Sequence, residues 1–284
     1  LMNTVQEILQ KNYKDLLNHN IQTAKIDSEV ILANILNTTR INLITKQDIV
    51  LNKEQEDLFS KLVERRKQKE PVAYILNKKE FWNENYFVDK RVLIPRPETE
   101  ILIELLLKKI KDKNKAYKVL DLGCGSGCLL ISFLKEMHKS QGMGVDISSN
   151  ALEVAKKNIE LHNLNNRAKL VRLDLLTLHT KDKFDVIFSN PPYLSSSDYA
   201  KLSDDVKNFE PKQALVGGFN GVLYYKKIIA LAQSALKKNG YLALELGDRQ
   251  YRTISKLLQD HSFRILDKYQ LINNEIRCIL AAKM

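Results

Sequence analysis

The 284-residue sequence predicts an α/β protein with a doubly wound, mainly parallel sheet, preceded by a small helical domain and a connecting β-hairpin. Seven short apolar runs after residue 117 alternate with helical stretches, which favours parallel strands with helices on both faces of the sheet. The first 66 residues show only helical spacing of apolar side chains. The composition, 44% hydrophobic and 28% charged, is typical of a globular protein.

The N-terminal region, residues 1–75, is predicted to be a helical bundle. Apolar residues recur there at intervals of three and four. Asn52 is a suitable N-cap for a third helix, which we expect to bury Leu58, Leu62 and Val63 on one face. This region contains no residues with evident chemistry.

Residues 76–95 are predicted to form a hairpin linker. Two aromatic, strand-like runs, Phe81-Trp82 and Tyr86-Phe87-Val88, flank a short polar turn. Pro97 then suits the first position of a helix, with acidic residues in the first turn.

Residues 96–284 are predicted to form the sheet domain. The last two strands are joined by a short link, so we expect at least one of them to run antiparallel. The clearest helices are predicted at 151–162 and 223–238, and strands at 118–122, 142–146, 168–172, 184–189, 241–245, 263–266 and 276–281.

A glycine-rich loop follows the first strand of this sheet and comprises Gly123, Cys124, Gly125, Ser126 and Gly127. Open α/β sheets bind ligands at this end of their strands. A loop of this kind alone would also suit NAD. However, the spacing is Gly-x-Gly-x-Gly, and Asp121 precedes the first glycine by two positions. A carboxylate there would repel a pyrophosphate and suit an ammonium group, which favours S-adenosylmethionine as the cofactor.

Two further carboxylates follow the next two strands. Asp146 could accept both hydroxyls of a ribose, or it could cap the following helix. Asp174 could accept from an adenine amino group, with Leu175 beside the ring, or it could belong to an ordinary surface turn.

The tetrapeptide Asn190-Pro191-Pro192-Tyr193 follows the fourth strand. Two prolines stiffen the loop and leave backbone carbonyls free, because proline has a fixed φ and no N–H. An amide and an aromatic ring flank these carbonyls, so the segment suits a planar –NH₂ group. The alternative is a proline-rich turn that merely ends a strand.

The glycine-rich loop, the two carboxylates and the tetrapeptide occur in the order and spacing of class I S-adenosylmethionine-dependent methyltransferases, and the sheet therefore resembles their Rossmann-like fold. Asn-Pro-Pro-Tyr resembles the amino-methyltransferases in particular. These include adenine-N6 methyltransferases and the release factor glutamine methyltransferases of the HemK/PrmC family.

Several segments resemble the HemK/PrmC signatures over essentially the whole chain. The most family-specific is Ile94–Glu100; the others are Pro71–Ile75, Glu80–Trp82, Phe209–Pro211, Ala214-Leu215 and Gly217-Gly218. There are two departures. Asn77 stands where a glycine is expected in the domain-joining turn, and Leu175 stands where an aromatic residue can flank adenine.

The resemblance implies methylation of the glutamine side-chain amide nitrogen (N5) in the Gly-Gly-Gln loop of class 1 peptide-chain release factors. It also implies that the helical domain helps to dock this protein substrate. As a hypothesis, the Asn190 side-chain oxygen and the Pro191 carbonyl accept the two N–H groups of the amide, while Tyr193 packs on its plane. Pro192 completes the substrate loop, and Asn190 also borders the cofactor.

Composition narrows the remaining possibilities. Cys124, Cys128 and Cys278 form no Cys-x-x-Cys, which indicates no zinc site or disulfide framework and favours the cytoplasm. No apolar stretch is long enough to span a membrane. No metal-ligand cluster is evident, and we expect a monomer.

Two alternatives stay open at this stage. The net charge of +11 is compatible with an adenine-N6 methyltransferase that acts on DNA or RNA. However, no large target-recognition segment is evident, so we expect that nucleic acid is not required. The other alternative is a non-catalytic protein that binds the cofactor or the ribosome.

Overall fold

The computed structural model describes residues 3–46 and 48–284, which pack into two compact units. The first unit runs up to Lys78 and includes Ser203–Phe209, and the second comprises Lys79–Leu202 and Glu210–Met284. The hairpin packs as part of the second unit. The bounds 1–75, 76–95 and 96–284 remain a prediction for the functional division of the chain.

The first unit is helical and has its own apolar core. Its third long helix begins after Asn52, whose side chain accepts from the Gln55 N–H while Gln55 reaches back to the Asn52 N–H. The helix buries Phe59 and Val63, and Leu62 packs partly buried against the same core. Leu58 is 44% exposed, so the prediction was wrong for this residue. The helices are α1 (Val5–Asn18), α2 (Ala24–Ile35), α3 (Arg40–Thr45), α4 (Lys53–Lys67) and α5 (Val72–Ile75).

A short hairpin, β1 (Lys79–Phe81) and β2 (Glu84–Tyr86), opens the second unit. Trp82 and Asn83 form its two-residue turn with φ of 51° and 57°, the left-handed backbone that a tight hairpin turn requires. Asn77, just before the hairpin, also has a positive φ of 50°. Asparagine tolerates this conformation better than most residues, so it can replace the expected glycine.

A seven-stranded sheet forms the second unit, with the spatial order β5-β4-β3-β6-β7-β9-β8. The first five are parallel, and β9 runs antiparallel to both of its neighbours. This architecture confirms the predicted fold. The strands are β3 (Lys118–Leu122), β4 (Gln141–Asp146), β5 (Ala168–Arg172), β6 (Phe184–Ser189), β7 (Leu236–Glu245), β8 (Phe263–Gln270) and β9 (Ile276–Lys283).

Helices cover both faces of the sheet and bury two apolar clusters. One cluster contains side chains of α6 and α7, and the other contains side chains of α11 and α12. The helices after the hairpin are α6 (Glu100–Lys109), α7 (Cys128–Glu136), α8 (Ser149–Leu161), α9 (Ser196–Ala200), α10 (Asp204–Phe209), α11 (Leu223–Ala235) and α12 (Tyr251–Asp260). Of these, α10 belongs to the first unit.

The order of the strands reverses between β3 and β6. Successive strands run outward from β3 in one direction and from β6 in the other, so a crevice opens at the carboxyl ends of these two strands. The Ser189 hydroxyl at the end of β6 donates to the Leu122 carbonyl at the end of β3 over 2.5 Å. The topology therefore brings the glycine-rich loop and the tetrapeptide together.

The fifth long strand starts earlier than predicted. Helix α11 ends at Ala235, and Leu236 already has extended backbone and pairs with Phe184. Leu236 is buried in the sheet core, so the chain enters the sheet at this residue. Asn239 has a positive φ of 61° where the strand is irregular. Strand β7 thus spans ten residues with a register shift opposite Phe184 and Val186.

Candidate functional site

A cavity lies in the second unit at the reversal point of the sheet. It is bounded by the ends of parallel strands and by the loops that follow them. Of the residues predicted to bind cofactor or substrate, eight line it: Gly123, Gly125, Asp146, Asp174, Leu175, Asn190, Pro191 and Pro192. Cys124, Ser126, Gly127 and Tyr193 lie outside this lining.

The glycine-rich loop turns through three left-handed residues. Gly123, Gly125 and Gly127 have φ of 74°, 52° and 79°. A Cβ at Gly123 or Gly125 would meet no atom within 4 Å, so both glycines border open space. Their role is conformational, because a side chain at positive φ would be strained. The bare backbone they present can approach a ligand closely.

Cys124 and Ser126 support this loop from the protein side. Both are buried, and the Ser126 carbonyl accepts from the Asn158 side chain of α8 over 2.8 Å. Asn158 also exchanges two hydrogen bonds with the Phe87 backbone, which follows the hairpin. Burial raises the pKa of the Cys124 thiol well above its usual value, which disfavours the reactive thiolate form.

Asp121 lies beneath the loop as a fully buried carboxylate. Among the described residues, neither of its oxygens has a hydrogen-bond partner. Burial raises the pKa of Asp121; the Leu130 N–H favours the charged form without reaching hydrogen-bond geometry, and the nearby Asp146 carboxylate raises the pKa further. A buried acceptor without a donor is costly on its own. It fits a cofactor that carries an ammonium group, as S-adenosylmethionine does.

Asp146 ends β4 at the wall of the cavity. Its carboxylate accepts from the Gly125 N–H over 2.9 Å and from the Ser148 N–H over 2.9 Å. These bonds fix its orientation, and each oxygen keeps a lone pair for a hydroxyl. Burial raises the pKa of Asp146, and the backbone N–H groups of Ser148, Gly125 and Ile147 oppose that rise. Ser148 itself caps α8, so Asp146 is not the cap.

Asp174 and Leu175 form the opposite part of the lining, after β5. The Asp174 Oδ1 accepts from the Leu176 N–H over 2.8 Å, which leaves Oδ2 free to accept from a ligand. Leu175 packs against the apolar cluster that contains α11. Tyr224 of α11 lines the same cavity, so an aromatic ring is present although Leu175 is not aromatic.

The tetrapeptide is held by its first and last residues. The Asn190 Nδ2 donates to the Thr99 hydroxyl over 3.1 Å. The Tyr193 hydroxyl donates to Glu245 over 3.3 Å, and the Tyr193 carbonyl accepts from the Gln250 side chain over 2.9 Å. Tyr193 is thus anchored by its hydroxyl and its carbonyl, and the first three residues of the tetrapeptide line the cavity.

A second glycine-rich segment, residues 217–221, packs directly on the tetrapeptide. A Cβ at Gly217 would lie 2.3 Å from the Pro192 carbonyl oxygen, and one at Gly221 would lie 2.2 Å from that of Tyr193. Glycine is required at both positions because the backbones touch. The predicted family segment Gly217-Gly218 is thus part of the wall that shapes the tetrapeptide.

The structure adds two residues that motif reasoning did not single out, Thr99 and Glu245. Both are buried, and the Thr99 hydroxyl donates to the Glu245 carboxylate over 2.5 Å. Two signals in the sequence were available. Thr99 lies within the most family-specific segment, and Glu245 is a lone acidic residue at the end of an apolar strand.

Two of the family segments meet at the rim of the cavity. The buried Glu210 carboxylate accepts from Arg96 over 2.5 Å and from the Ile94 N–H over 3.1 Å. Leu93 and Pro211, on either side of this contact, line the cavity. The contact therefore gives both segments a structural reason to occur together.

The described residues include neither a metal-binding cluster nor a membrane-spanning helix. Within residues 3–46 and 48–284, no group of three or more His, Cys, Asp or Glu side chains could hold a metal ion. None of the helices described is long and apolar enough to cross a membrane.

Two family models match the chain. Residues 7–76 match the PrmC N-terminal domain, and residues 113–277 match a methyltransferase domain. The two matches fall on the helical region and on the seven-stranded sheet, respectively.

Curated proteins are similar over nearly the full sequence. The release factor glutamine methyltransferase of Clostridium botulinum is 36% identical, with 92% of each chain covered. That of Clostridium acetobutylicum is 34% identical, with 98% of each covered. A bifunctional methyltransferase of Rickettsia bellii is 34% identical over 97% of this chain, which spans only 54% of that protein.

Solved structures share the fold. The 16S rRNA N2 G1207 methyltransferase of Thermus thermophilus, in complex with AdoMet and guanosine, has a TM-score of 0.53 at 18% identity, covering 73% of this chain and 50% of that one. A methyltransferase of Pyrococcus furiosus has a TM-score of 0.51 at 19% identity, covering 70% and 88%.

Proposed function

The chain belongs to the release factor glutamine methyltransferase family, and on this premise we propose how its residues carry out the reaction. It is an S-adenosylmethionine-dependent methyltransferase that methylates a glutamine side-chain amide of release factors. We propose the Gly-Gly-Gln glutamine of class 1 factors as the target. The relatives do not favour the alternative of an adenine-N6 methyltransferase.

The observation that carries the proposal is the orientation of Asn190. Its side-chain nitrogen is committed to the Thr99 hydroxyl, so its oxygen is the atom left to face the cavity. The Pro191 carbonyl stands beside it on a backbone that the prolines stiffen. Two acceptors at one point of the wall suit the two N–H groups of a primary amide.

The remaining cavity residues are proposed to hold the cofactor. Gly123 and Gly125 offer bare backbone to its amino-acid part, with the Asp121 carboxylate beneath them. Asp146 would accept from the ribose and Asp174 from the adenine amino group. When bound, S-adenosylmethionine supplies a methyl group on a sulfonium sulfur, a strong electrophile.

The protein's part in the reaction is to position the amide and to stabilise its developing charge. An amide nitrogen is a weak nucleophile because its lone pair is delocalised into the carbonyl. Hydrogen bonds from its two N–H groups to Asn190 and Pro191 would hold the nitrogen with its lone pair directed away from them. The same oxygens would stabilise the positive charge that forms on nitrogen in the transition state.

Further features of the proposal concern the whole protein. The helical region is proposed to help dock the release factor, since it matches the PrmC N-terminal domain. We further propose that the protein acts as a monomer in the cytoplasm and that nucleic acid is not required.

Mass spectrometry of a purified release factor after incubation with this protein and S-adenosylmethionine tests the activity. We expect a gain of one methyl group on the glutamine of the Gly-Gly-Gln loop. In Asn190→Ala, we expect transfer to fall by at least about 100-fold, because an acceptor that positions the nucleophile is lost. Cofactor affinity, measured by calorimetry, should change by less than about threefold.

Ser197→Ala is the matched control, since Ser197 is an exposed hydroxyl in α9, four residues after the tetrapeptide. It should retain full activity. Transfer at the wild-type rate by Asn190→Ala would contradict the proposed mechanism. Methyl incorporation into nucleic acid instead of the release factor would contradict the proposed substrate.

A further inference from the structure

The first and last residues of the tetrapeptide converge on one buried carboxylate. Thr99 donates to the Glu245 Oε2 over 2.5 Å and accepts from the Asn190 Nδ2 over 3.1 Å. Tyr193 donates to the other oxygen, Oε1, over 3.3 Å. Glu245 is only 1% exposed and Thr99 only 3%, so water does not compete for these bonds.

The position of Thr99 makes its hydroxyl available for this contact. Thr99 immediately precedes α6, where a threonine side chain commonly accepts from the first backbone N–H groups of a helix. Here it makes no such capping bond. The hydroxyl is directed instead between Glu245 and Asn190, which lie on β7 and directly after β6.

The direction of each hydrogen bond follows from the chemistry of the groups. An ionised carboxylate can only accept, so the single proton of the Thr99 hydroxyl goes to Glu245. The Thr99 oxygen can then only accept from Asn190, which requires the amide nitrogen on that side. The Asn190 oxygen is thereby turned toward the cavity.

Glu245, Thr99 and Asn190 thus form a hydrogen-bond relay. We propose that Thr99 and Glu245 are positioning residues, which fix the amide of Asn190 so that its oxygen can accept from the substrate nitrogen. This inference rests on the proposed function of Asn190. It adds that the orientation is set by an ionised carboxylate two hydrogen bonds away from Asn190. Neither Thr99 nor Glu245 is among the residues that line the cavity.

Protonation of Glu245 would reverse the relay. The new proton would lie toward the Thr99 oxygen, and Thr99 would then donate to Asn190. The Asn190 amide would rotate, and its NH₂ group would then face the N–H groups of the substrate. An amide NH₂ cannot accept hydrogen bonds from them. The ionised form is therefore the active one.

The groups around Glu245 set the pH at which its carboxylate is protonated. Burial raises the pKa of Glu245 to about 7, opposed by Thr99, Arg277 and Tyr193, and Glu98 raises it further. Tyr225 donates to the Glu245 backbone carbonyl, and Cys278 pairs opposite it on β9. Because the pKa is raised, we expect the methyl-transfer rate to increase as pH rises through about 7 and to level off above it.

The test uses single-turnover methylation of a purified release factor by the full chain. Thr99→Val removes the relay at nearly constant volume, and we expect its rate to fall by about 10- to 100-fold. Its affinity for S-adenosylmethionine should stay within about threefold of wild type. Thr99→Ser keeps the hydroxyl and should restore most of the rate. Ser132→Ala, which removes an equally buried hydroxyl outside the relay, should behave as wild type.

A second variant, Glu245→Gln, tests the same inference if Thr99→Val does not fold. In Glu245→Gln, the position no longer titrates, so the rise of the rate through about pH 7 should disappear. A wild-type rate for Thr99→Val, or an unchanged pH profile for Glu245→Gln, would overturn the inference. If Asn190→Ala is itself fully active, the proposed function of Asn190 fails instead.

Discussion

At the scale of single residues, the site contains a buried carboxyl group whose oxygens lack hydrogen-bond donors among the described residues. This group is the carboxyl of Asp121, which lies under the loop proposed to hold the cofactor and has no hydrogen-bond partner in the part of the chain that the structure describes. Stability and binding are therefore expected to oppose each other at this position. A group that is unfavourable in the free protein can be favourable once a cation is bound.

Asp121→Asn tests this opposition. The pKa of Asp121 is raised on folding, so the folded protein prefers the neutral acid, and stability is lost as pH rises above the unfolded value of about 3.9. The asparagine variant lacks this loss. Near pH 7, without cofactor, we expect it to be more stable by about 1–3 kcal/mol in urea unfolding.

The same variant should bind S-adenosylmethionine about tenfold more weakly in calorimetry, because an attraction worth about 1.4 kcal/mol is lost. The stability difference should become small by about pH 3, where Asp121 is protonated in both the folded and the unfolded protein. A variant less stable than wild type at pH 7 and equal to it in cofactor affinity would contradict the assignment.

Some of these residues could be predicted from the sequence and others could not. Asp146, Asp174 and Asn190 each end or follow a strand, and parallel strands bring their carboxyl ends to one edge, so their meeting was predictable. The contact of Thr99 with Glu245 was not. It joins positions 146 residues apart, and nothing local to either one indicates which buried donor meets which acceptor. The bond of the Tyr193 hydroxyl to Glu245 was not predictable either, and the packing of its ring on the substrate amide stays a prediction.

At the scale of elements, the spacing of apolar residues predicted the strands of the sheet and its clearest helices, but it predicted their ends less accurately. The junction between α11 and β7 was misplaced because Lys237, Lys238 and Asn239 are exposed and polar, which also suits the end of a helix. The pairing of Leu236 with Phe184 overrides that local preference. Burial of one leucine in the sheet decided where the helix ends.

Segment 217–221 shapes the site by packing on the tetrapeptide, although it supplies no reacting group. In Gly221→Ala, the new Cβ would lie 2.2 Å from the Tyr193 carbonyl oxygen, at φ of 71°. The tetrapeptide must then shift. We expect the rate of methyl transfer to fall by at least about tenfold, since small misplacements of positioning groups are costly.

Gly218→Ala is the matched control for backbone strain. Its φ is 89°, but the new Cβ would approach only the Leu223 side chain, at 3.3 Å. Both variants should lose about 1–2 kcal/mol of stability from the left-handed backbone. In kinetics on a release factor, only Gly221→Ala should show the fall of at least about tenfold in the rate of methyl transfer. Equal rates for the two variants would mean that the contact with Tyr193 does not shape the site.

At the scale of the whole molecule, the two compact units have separate cores. The buried residues described for the helical core lie between Val5 and Val63, whereas the two sheet clusters begin at Phe81 and Leu120. The residues proposed to hold the cofactor all belong to the second unit. Because a ligand stabilises only the unit that binds it, the units should respond differently to the cofactor.

Differential scanning calorimetry of the full chain tests this separation. We expect two unfolding transitions, of which S-adenosylmethionine raises only one. At 100 times its Kd, the cofactor should add about 2.7 kcal/mol to the unfolding free energy of the sheet unit. The Asp121→Asn protein should show a smaller shift of that transition at the same cofactor concentration. One transition that moves as a whole would show instead that the two cores unfold together, and that the helical unit shares the stabilisation of the site.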